Sequence, residues 1–584
     1  MLRLLKRLGI KEYIYIFISI ILIGLQVFLE LRIPDYMTKI TELVQTSGSN
    51  MGDILLQGFY MILCAFASLV SAVIVTYLTA NVSAIFSRKI RREIFNKVED
   101  YGMEQIKKFS TSSLITRTTN DVTQIEMFLA MGMQMLFRAP ITAIWAVSKI
   151  LNKSAEWSVI TALGVAVLLT AVITLMVLVV PKFKVIQKLV DRMNDVTREN
   201  LTGIRVVRAF NAEKFEEDRF EDVNKELTGI QLFTQRMFGL LNPVMNIVMH
   251  FLTLGIYFLG AITISNAMMS DKITLFSNMV VFSSYSMQVI ISFLFLTVIF
   301  MILPRASVSA KRINEVLETE TTIEDGNKTE GVKGLKGVVE FNGVSFKYPD
   351  AEEYLLSDIT FKANKGEVVA FIGSTGSGKS TLINLIPRFY DVTDGEILVD
   401  GVNVKNYKLN VLHDKIGYVS QKAFMFDGTV LSNVSYGEKE VDLDKVKESI
   451  RIAQATDFVE KMDNGYESHI ARGGTNVSGG QKQRLSIARA IAKDPEIYIF
   501  DDSFSALDYK TDSNLRKELK NNAKDATMLI VAQRIGTILN ADKIIVLDKG
   551  KCVGMGTHKE LLNNCEVYKE IAYSQLSKEE LENA

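Results

Sequence analysis

Six long apolar segments constrain the fold of this chain more than any other feature of its 584 residues. A bilayer core is about 30 Å thick and takes about 20 apolar residues to cross as a helix. Six segments of that length are typical of a membrane protein and not of the buried helices of a soluble domain. We therefore predict an all-α transmembrane domain over residues 1–312. Its six helices cover about 13–33, 55–80, 127–150, 157–180, 238–264 and 275–303.

Five prolines indicate where these helices stop or bend. Pro34, Pro181 and Pro304 fall where the first, fourth and sixth segments end. A proline has no backbone N–H to donate, which favours a helix stop at these positions. Pro140 and Pro243 lie inside the third and fifth segments, so we expect kinks there.

Basic residues are concentrated on alternate connections and predict the topology. Four of the first eleven residues are Lys or Arg, and the long connections 81–125 and 182–236 contain many more basic residues. The short connections that follow the first, third and fifth apolar segments carry only one or two basic residues each. Basic residues mark the cytoplasmic side, so both termini are expected on the cytoplasmic side of the cell membrane. The two long connections also have apolar residues at helical spacing. We expect them to continue the membrane helices into the cytoplasm.

The charge balance divides the chain into two parts. The 66 basic and 66 acidic residues cancel overall, which argues against a nucleic-acid partner. Residues 1–335 carry 34 basic and 29 acidic side chains, and residues 336–584 carry 32 and 37. An acidic, glycine-containing stretch at 313–335 is predicted to be a linker. Short apolar strands then alternate with helical segments, which predicts an α/β domain over 336–584.

A phosphate-binding loop is the clearest motif in this second domain. An apolar run at 367–372 leads into a sequence that fits GxxxxGK[ST], in which glycines allow backbone N–H groups to face phosphates. Lys379 supplies positive charge, Ser380 supplies a hydroxyl ligand for Mg²⁺, and the helix that follows directs its positive end at the phosphates. The loop and the first helical residue are Gly373, Ser374, Thr375, Gly376, Ser377, Gly378, Lys379, Ser380 and Thr381.

Two further motifs support nucleotide chemistry. The apolar strand 497–500 ends in Asp501 and Asp502, an arrangement that suits a carboxylate holding Mg²⁺. The second motif lies between the phosphate loop and this strand, where a Ser- and Gly-containing turn begins a helix and forms a second anion site. This turn comprises Val477, Ser478, Gly479, Gly480 and Gln481.

These motifs, in this order, resemble those of an ATP-binding cassette (ABC) exporter half-transporter. The resemblance covers essentially the whole chain and implies ATP and Mg²⁺ as ligands. It implies that Tyr348 stacks on adenine and that Gln421, with Ser380 and Asp501, contacts Mg²⁺. It further implies that the turn at 477–481 closes over ATP bound to another subunit. A loop is expected to cross the dimer interface at Ser505, Ala506, Leu507 and Asp508.

Two intracellular segments, Ser110 to Asp121 and Glu199 to Phe210, resemble the coupling helices of this family. Coupling helices touch the nucleotide domains, and the second would reach the opposite subunit.

Three positions depart from the family pattern. Asp502 stands where a catalytic glutamate is usual, and Gln533 stands where a switch histidine is usual. Ala471-Arg472 replaces a Gly-Glu pair before the signature turn. A carboxylate shortened by about 1.5 Å is poorly placed to orient water, and glutamine cannot carry a proton charge. We therefore expect this chain to bind ATP at its own site but to hydrolyse it slowly.

The combination resembles the degenerate-site subunit of bacterial heterodimeric multidrug-type exporters. The implied partner is a second half-transporter with an intact Glu and His, whose competent site the signature of this chain completes. Alternatives are a homodimeric lipid or drug exporter and an ATP-gated channel or sensor. The cargo is expected to be amphipathic, a drug or a lipid, with Arg138, His250 and Gln288 as weak candidates for the transport pathway. A structural role for Arg138, paired with an acid elsewhere, is equally open.

Overall fold

The computed structural model describes residues 1–46, 48–151, 155–268, 271–438 and 440–576. The chain forms two compact units. The first contains Met1–Glu99 and Thr111–Thr319, and the second contains Asp100–Ser110 and Glu320–Ala584. The last eight residues of the predicted nucleotide domain, 577–584, lie outside the described residues.

Helices account for the whole secondary structure of the first unit within the described ranges. Six of them are long and apolar enough to cross a membrane, which confirms the predicted six-helix domain. In chain order, the elements up to residue 319 are α1 (Leu2–Leu5), α2 (Ile10–Gln45), α3 (Met51–Glu99), α4 (Met103–Phe109), α5 (Thr111–Thr118), α6 (Asn120–Met127), a π-helical turn (Phe128–Gly132), α7 (Met133–Leu151), α8 (Ala155–Ala209), α9 (Glu213–Gly239), α10 (Leu241–Asn266) and α11 (Lys272–Glu318).

The predicted proline stops are wrong. Pro34, Pro181 and Pro304 all lie inside helices, in α2, α8 and α11. A proline removes one hydrogen bond, and neighbouring groups in a membrane helix compensate for that loss. Nearby in α2, the Thr38 hydroxyl also donates to the Pro34 carbonyl at 3.2 Å, a contact separate from the bond that the proline removes. Helix α11 consequently continues to Glu318, beyond the point at which we expected the linker to begin.

The other two prolines behave differently from each other. Pro140 lies inside α7, as expected from its position in the third apolar segment. Pro243 is the third residue of α10, which begins after a break at Leu240. The first turn of a helix has no use for a backbone N–H, so proline is well tolerated there. Pro243 therefore belongs to a helix start and not to a kink within one helix.

The helical continuation of both long connections is confirmed. Helix α3 runs to Glu99 and α8 runs to Ala209, far beyond the apolar segments. The expected coupling segments have different limits, however. Residues Asp100–Ser110, which include α4, group with the second unit, whereas Thr111 and the residues after it group with the first. The segment from 199 is still part of α8, and the chain turns only at Phe210–Ala212.

The second unit is α/β, as predicted. Its strands are β1 (Val339–Phe346), β2 (Leu356–Ala363), β3 (Val368–Gly373), β4 (Asp394–Val399), β5 (Val402–Asn403), β6 (Ile416–Val419), β7 (Gly428–Thr429), β8 (His469–Ile470), β9 (Ile497–Asp501), β10 (Thr527–Val531), β11 (Lys543–Asp548) and β12 (Lys551–Gly556). They form sheets of order β2-β1-β4-β5, β12-β11-β3-β10-β9-β6 and β7-β8.

The helices of this unit, after α4, are mostly short. They are α12 (Lys379–Asn384), α13 (Leu409–Asp414), α14 (Val430–Val434), α15 (Leu443–Ile452), α16 (Thr456–Val459), α17 (Gly479–Ala492), α18 (Tyr509–Asn522), α19 (Ile535–Ile538), α20 (His558–Asn564) and α21 (Glu566–Tyr573). Three 3₁₀ turns lie at Val404–Asn406, Gly465–Glu467 and Arg472–Gly474.

The six-stranded sheet positions the functional residues. Strands β3, β10, β9 and β6 are neighbours and run parallel. β9 and β10 are buried along their whole length, which explains their continuous apolar sequences. Because parallel strands end at the same edge, the segments that follow all four strands lie side by side. Ligands of open α/β sheets bind at this carboxyl edge.

Candidate nucleotide-binding site

The phosphate loop connects β3 to α12 through glycines that no other residue can replace. Gly378 has φ +95°, and a Cβ there would lie 2.6 Å from Leu356 Cδ2. Gly373 has φ +154°, and a Cβ there would lie 2.0 Å from the Leu547 carbonyl oxygen. Close packing and left-handed backbone therefore both demand glycine. The loop turns back on itself and leaves its backbone facing an open cavity.

Lys379 is the first residue of α12 and lies across this loop. Its Nζ donates hydrogen bonds to the Gly373 and Ser374 carbonyl oxygens at 2.8 Å and approaches Ser377 Oγ at 3.4 Å. Burial lowers the pKa of the Lys379 ammonium, and the Asp502 and Asp501 carboxylates oppose that shift. The ammonium is thus held close to where phosphates of a nucleotide would lie.

Ser380 and Asp501 form an oxygen-rich pair beside the lysine. The Ser380 hydroxyl donates to Asp501 Oδ1 at 2.7 Å. Burial raises the pKa of Asp501, and the neighbouring Asp502 carboxylate adds to that shift. A hydroxyl and a carboxylate in contact are hard oxygen donors of the kind Mg²⁺ prefers alongside phosphate oxygens. The residues present therefore fit a Mg²⁺–nucleotide complex.

Two glutamines hold the carboxylate of Asp502. Gln533 Nε2 donates to Asp502 Oδ2 at 2.8 Å, and Gln421 Nε2 approaches the same oxygen at 3.3 Å. Asp502 is 8% exposed and has φ +48°, a left-handed conformation that aspartate tolerates better than longer side chains. Burial raises the pKa of Asp502 while its hydrogen bonds oppose the shift. Both donors are neutral amides, so neither of these hydrogen bonds comes from a titratable group.

Tyr348 lies in an aromatic cluster next to the loop. Its hydroxyl contacts Thr381 Oγ1 at 3.1 Å, and its ring is perpendicular to that of Tyr390, with centroids 5.3 Å apart. Lys107 of α4 places its ammonium 4.6 Å from the centre of the Tyr348 ring. A hydrogen bond with Tyr390 is the main cause of the raised pKa of Lys107. The tyrosine expected to stack on adenine is thus packed against a residue from the intracellular segment.

An open cavity of about 300 Å³ is lined by most of the residues predicted to bind ATP or to act in its hydrolysis. The lining includes Thr375, Gly376, Gly378, Lys379, Ser380, Thr381, Gln421, Asp502 and Gln533. The signature turn is not among the lining residues. Ser478 instead caps α17, where its hydroxyl accepts from the Gln481 N–H at 3.3 Å and the Gln481 side chain accepts from the Ser478 N–H at 2.8 Å. Gly479 faces open space, and Val477 is 9% exposed.

The expected interface loop, Ser505–Asp508, lies beside the signature turn. A Cβ on Gly480 would lie 3.3 Å from the Ala506 carbonyl oxygen. The Ser505 hydroxyl donates to the Asp502 backbone carbonyl at 2.8 Å, so the loop is also hydrogen-bonded to the backbone of Asp502. Asp508 caps α18 by accepting from the Thr511 N–H at 2.9 Å.

Three residues of the site were missed by the sequence reasoning. Arg534 donates to the Ser505 and Leu507 carbonyls, at 3.0 and 3.4 Å. Gln575 hydrogen-bonds the backbone around Arg534, and Lys107 packs on Tyr348. Lys107 is more than two hundred residues from Tyr348 in the sequence, and Gln575 is about forty residues from the backbone that it binds. No local motif could connect residues so far apart. Arg534 could have been noticed as the basic neighbour of the switch position.

An ion pair joins two of the membrane helices. Arg138 of α7 binds both carboxylate oxygens of Glu30 of α2, at 2.9 and 3.0 Å, and lies over the Phe295 ring. The acid partner that a structural role for Arg138 requires is therefore present. His250 is exposed on α10, and Gln288 is half-buried on α11.

The fold and the loop define an ABC protein, and comparison with known proteins agrees. Residues 356–505 match the model described as ABC transporter, and residues 16–309 match the ABC transporter transmembrane region. The chain belongs to the ABC transporter family. It is a multi-pass membrane protein that combines an exporter-type membrane region with an ATPase domain.

Particular relatives extend over most of the chain. An "Uncharacterized ABC transporter ATP-binding protein" of Mycobacterium tuberculosis is 38% identical over 503 residues, which are 85% of each chain. An "ATP-dependent lipid A-core flippase" of Saccharophagus degradans is 30% identical and covers 84% of this chain and 81% of its own. A bacterial Atm1-family ABC exporter solved with ATP bound aligns with a TM-score of 0.81 at 22% identity, covering 96% of this chain and 98% of that one. That likeness establishes the exporter fold.

Proposed function

We propose that this chain is one subunit of a heterodimeric exporter that uses ATP to move amphipathic small molecules out of the cytoplasm. Its own site would bind ATP and hydrolyse it slowly. The observation that carries the proposal is the pair of neutral amides, Gln533 and Gln421, that hold the shortened carboxylate of Asp502.

ATP binding would use the residues of the cavity and the aromatic cluster. The loop backbone and Lys379 would bind the phosphates, while Tyr348 would stack on the base. Ser380, Asp501 and Gln421 would hold Mg²⁺. When bound, Mg²⁺ neutralises charge on the β- and γ-phosphate oxygens.

Slow hydrolysis follows from what Asp502 and Gln533 cannot do. A general base must lie within about 3 Å of the water that it activates. The Asp502 side chain is one methylene shorter than that of glutamate, and two amide donors bind one of its two carboxylate oxygens, Oδ2. Gln533 can donate a hydrogen bond to a phosphate but cannot supply a positive charge. Nucleotide should therefore remain intact at this site far longer than at a site with Glu and His.

A partner subunit would complete both sites. The signature turn at 477–481 is well formed at the start of α17 but does not line the cavity of its own chain. Ser478 and Gly480 would instead face ATP on the partner, which would carry an intact Glu and His. Both termini and the nucleotide domain would be cytoplasmic, given the basic residues of the inner connections.

The cargo is proposed to be an amphipathic drug or lipid taken from the membrane. A second candidate function, lipid export by a homodimer, is favoured by the similarity to a protein named as a lipid A-core flippase. ATP would act through its higher affinity for the closed state of the nucleotide domains. Hydrolysis at the competent site would then reset the transporter.

The proposal is tested by purifying the tagged chain from its native membrane and measuring the mass of the intact complex. We expect a complex of two different chains, with ATPase activity far above that of this chain purified alone. A complex of two identical chains with robust ATP turnover would overturn the heterodimer and favour the homodimeric exporter. ATP-dependent current without accumulation of substrate would instead indicate a channel.

A further inference from the structure

The segment that follows the last helix, α21, is attached to the switch loop, which we define as Gln533–Ile535. Gln575 Oε1 accepts a hydrogen bond from the Ile535 N–H at 2.8 Å. Gln575 Nε2 donates to the Gln533 carbonyl oxygen, also at 2.8 Å. The side-chain amide thus binds the backbone on both sides of Arg534.

This pairing depends on the chemistry of the amide. Gln and Asn are the side chains that present one donor and one acceptor in a single plane, as a peptide group does. Gln575 therefore pairs with the switch loop as a neighbouring strand would. Glutamate at this position could accept from Ile535 but would direct an oxygen at the Gln533 carbonyl.

The position of Gln575 is set by a well-anchored helix. Tyr568 and Ala572 of α21 are fully buried, and the Tyr568 hydroxyl lies 2.7 Å from His558 Nδ1. The Gln575 N–H donates to the Ala572 carbonyl at 3.1 Å, so the residue lies in the turn that ends α21. A movement of α21 would consequently shift the backbone of the switch loop.

The switch loop in turn contacts both the Asp502 carboxylate and the interface loop Ser505–Asp508. The Gln533 side chain donates to Asp502 in the cavity, at 2.8 Å. The Arg534 side chain donates to the Ser505 and Leu507 carbonyls of the interface loop. The Gln575 amide therefore connects α21 to the switch loop, and through that loop to the Asp502 carboxylate and to the interface loop expected to face the partner.

We propose that Gln575 is a positioning residue through which the C-terminal helix α21 fixes the switch loop and thereby controls how long nucleotide is retained. The inference rests on the proposed nucleotide site. It adds a control element outside the nucleotide-binding motifs. Partners or modifications that displace α21 would act on nucleotide release through this contact.

The test measures dissociation of a fluorescent, non-hydrolysable ATP analogue, mant-AMP-PNP, from the full chain with Mg²⁺. We expect Gln575→Ala to speed release about fivefold to tenfold, the lower range for the loss of two neutral hydrogen bonds. Gln575→Glu should speed release at least as much. Ser574→Ala is the matched control, because its hydroxyl donates to the Ile571 carbonyl and not to the switch loop. Its release rate should equal that of the unmodified chain.

A double-mutant cycle separates positioning from a general structural effect. If Gln575 acts through Gln533, Gln575→Ala should change release less than twofold in a Gln533→Ala background. Equal rates for Gln575→Ala and Ser574→Ala, or multiplying effects of the two glutamine variants, would overturn the proposal. Because the analogue cannot be hydrolysed, this readout does not depend on whether the site is slow or fast. Failure of the proposed function would appear in ATP turnover instead.

Discussion

Replacement of Asp502 by glutamate is the sharpest perturbation of the proposed slow site. The added methylene moves the carboxylate about 1.5 Å further from the backbone, roughly one C–C bond. A misplacement of about 1 Å at a catalytic group can cost about a hundredfold in rate. Asp502→Glu should therefore raise single-turnover hydrolysis by up to about a hundredfold, or about 2.7 kcal/mol of activation free energy. Gln533→His in addition should raise it further.

The structure also predicts a cost for this change. Asp502 has φ +48° and is 8% exposed, so a larger side chain in left-handed backbone should destabilise the domain by about 1 kcal/mol. The assay uses excess full chain over radiolabelled ATP, with a second copy supplying the signature turn. Asp501→Glu is the matched control: it makes the same addition at the neighbouring Mg²⁺ carboxylate and should not accelerate hydrolysis. Unchanged hydrolysis in Asp502→Glu, with ATP affinity retained, would refute the reasoning.

Three other perturbations have defined outcomes. Lys107→Ala should weaken ATP binding about threefold in equilibrium titrations, the worth of an exposed cation–π contact, whereas Lys108→Ala should not; equal effects would contradict a specific role. Ser380→Ala should lower ATP affinity when Mg²⁺ is present and leave affinity in EDTA unchanged, and a loss in both conditions would argue against a metal contact. Glu30→Ala should lower thermal stability by about 2 kcal/mol because Arg138 keeps its charge without its partner. Removing both side chains should recover part of that loss, and a loss equal to the sum of the two single variants would contradict the pairing.

Local motifs made much of the nucleotide unit predictable. The glycines and Lys379 of the phosphate loop are close in sequence, and the strand 497–500 ends directly in Asp501. Both patterns express short-range requirements of backbone conformation and burial. The six membrane helices were predictable for the same reason, since each is encoded by one continuous apolar segment.

The features that could not be predicted depend on contacts between distant residues. Gln575 reaches the switch loop only because α21 packs on the domain, and Lys107 reaches Tyr348 from a segment between membrane helices. Pro34 was expected to end a helix because an isolated proline usually does. In α2 it is buried inside the helix, and its packing against the rest of the unit overrides the local preference.

The central claim is that ATP remains intact at the site built from Lys379, Asp502 and Gln533. It is tested most directly by photolabelling the native complex with 8-azido-ATP that carries label on either the α- or the γ-phosphate. The account predicts that this chain retains both labels equally during turnover, while its partner loses the γ label first. Loss of the γ label from this chain at the rate of overall ATP hydrolysis would contradict the account.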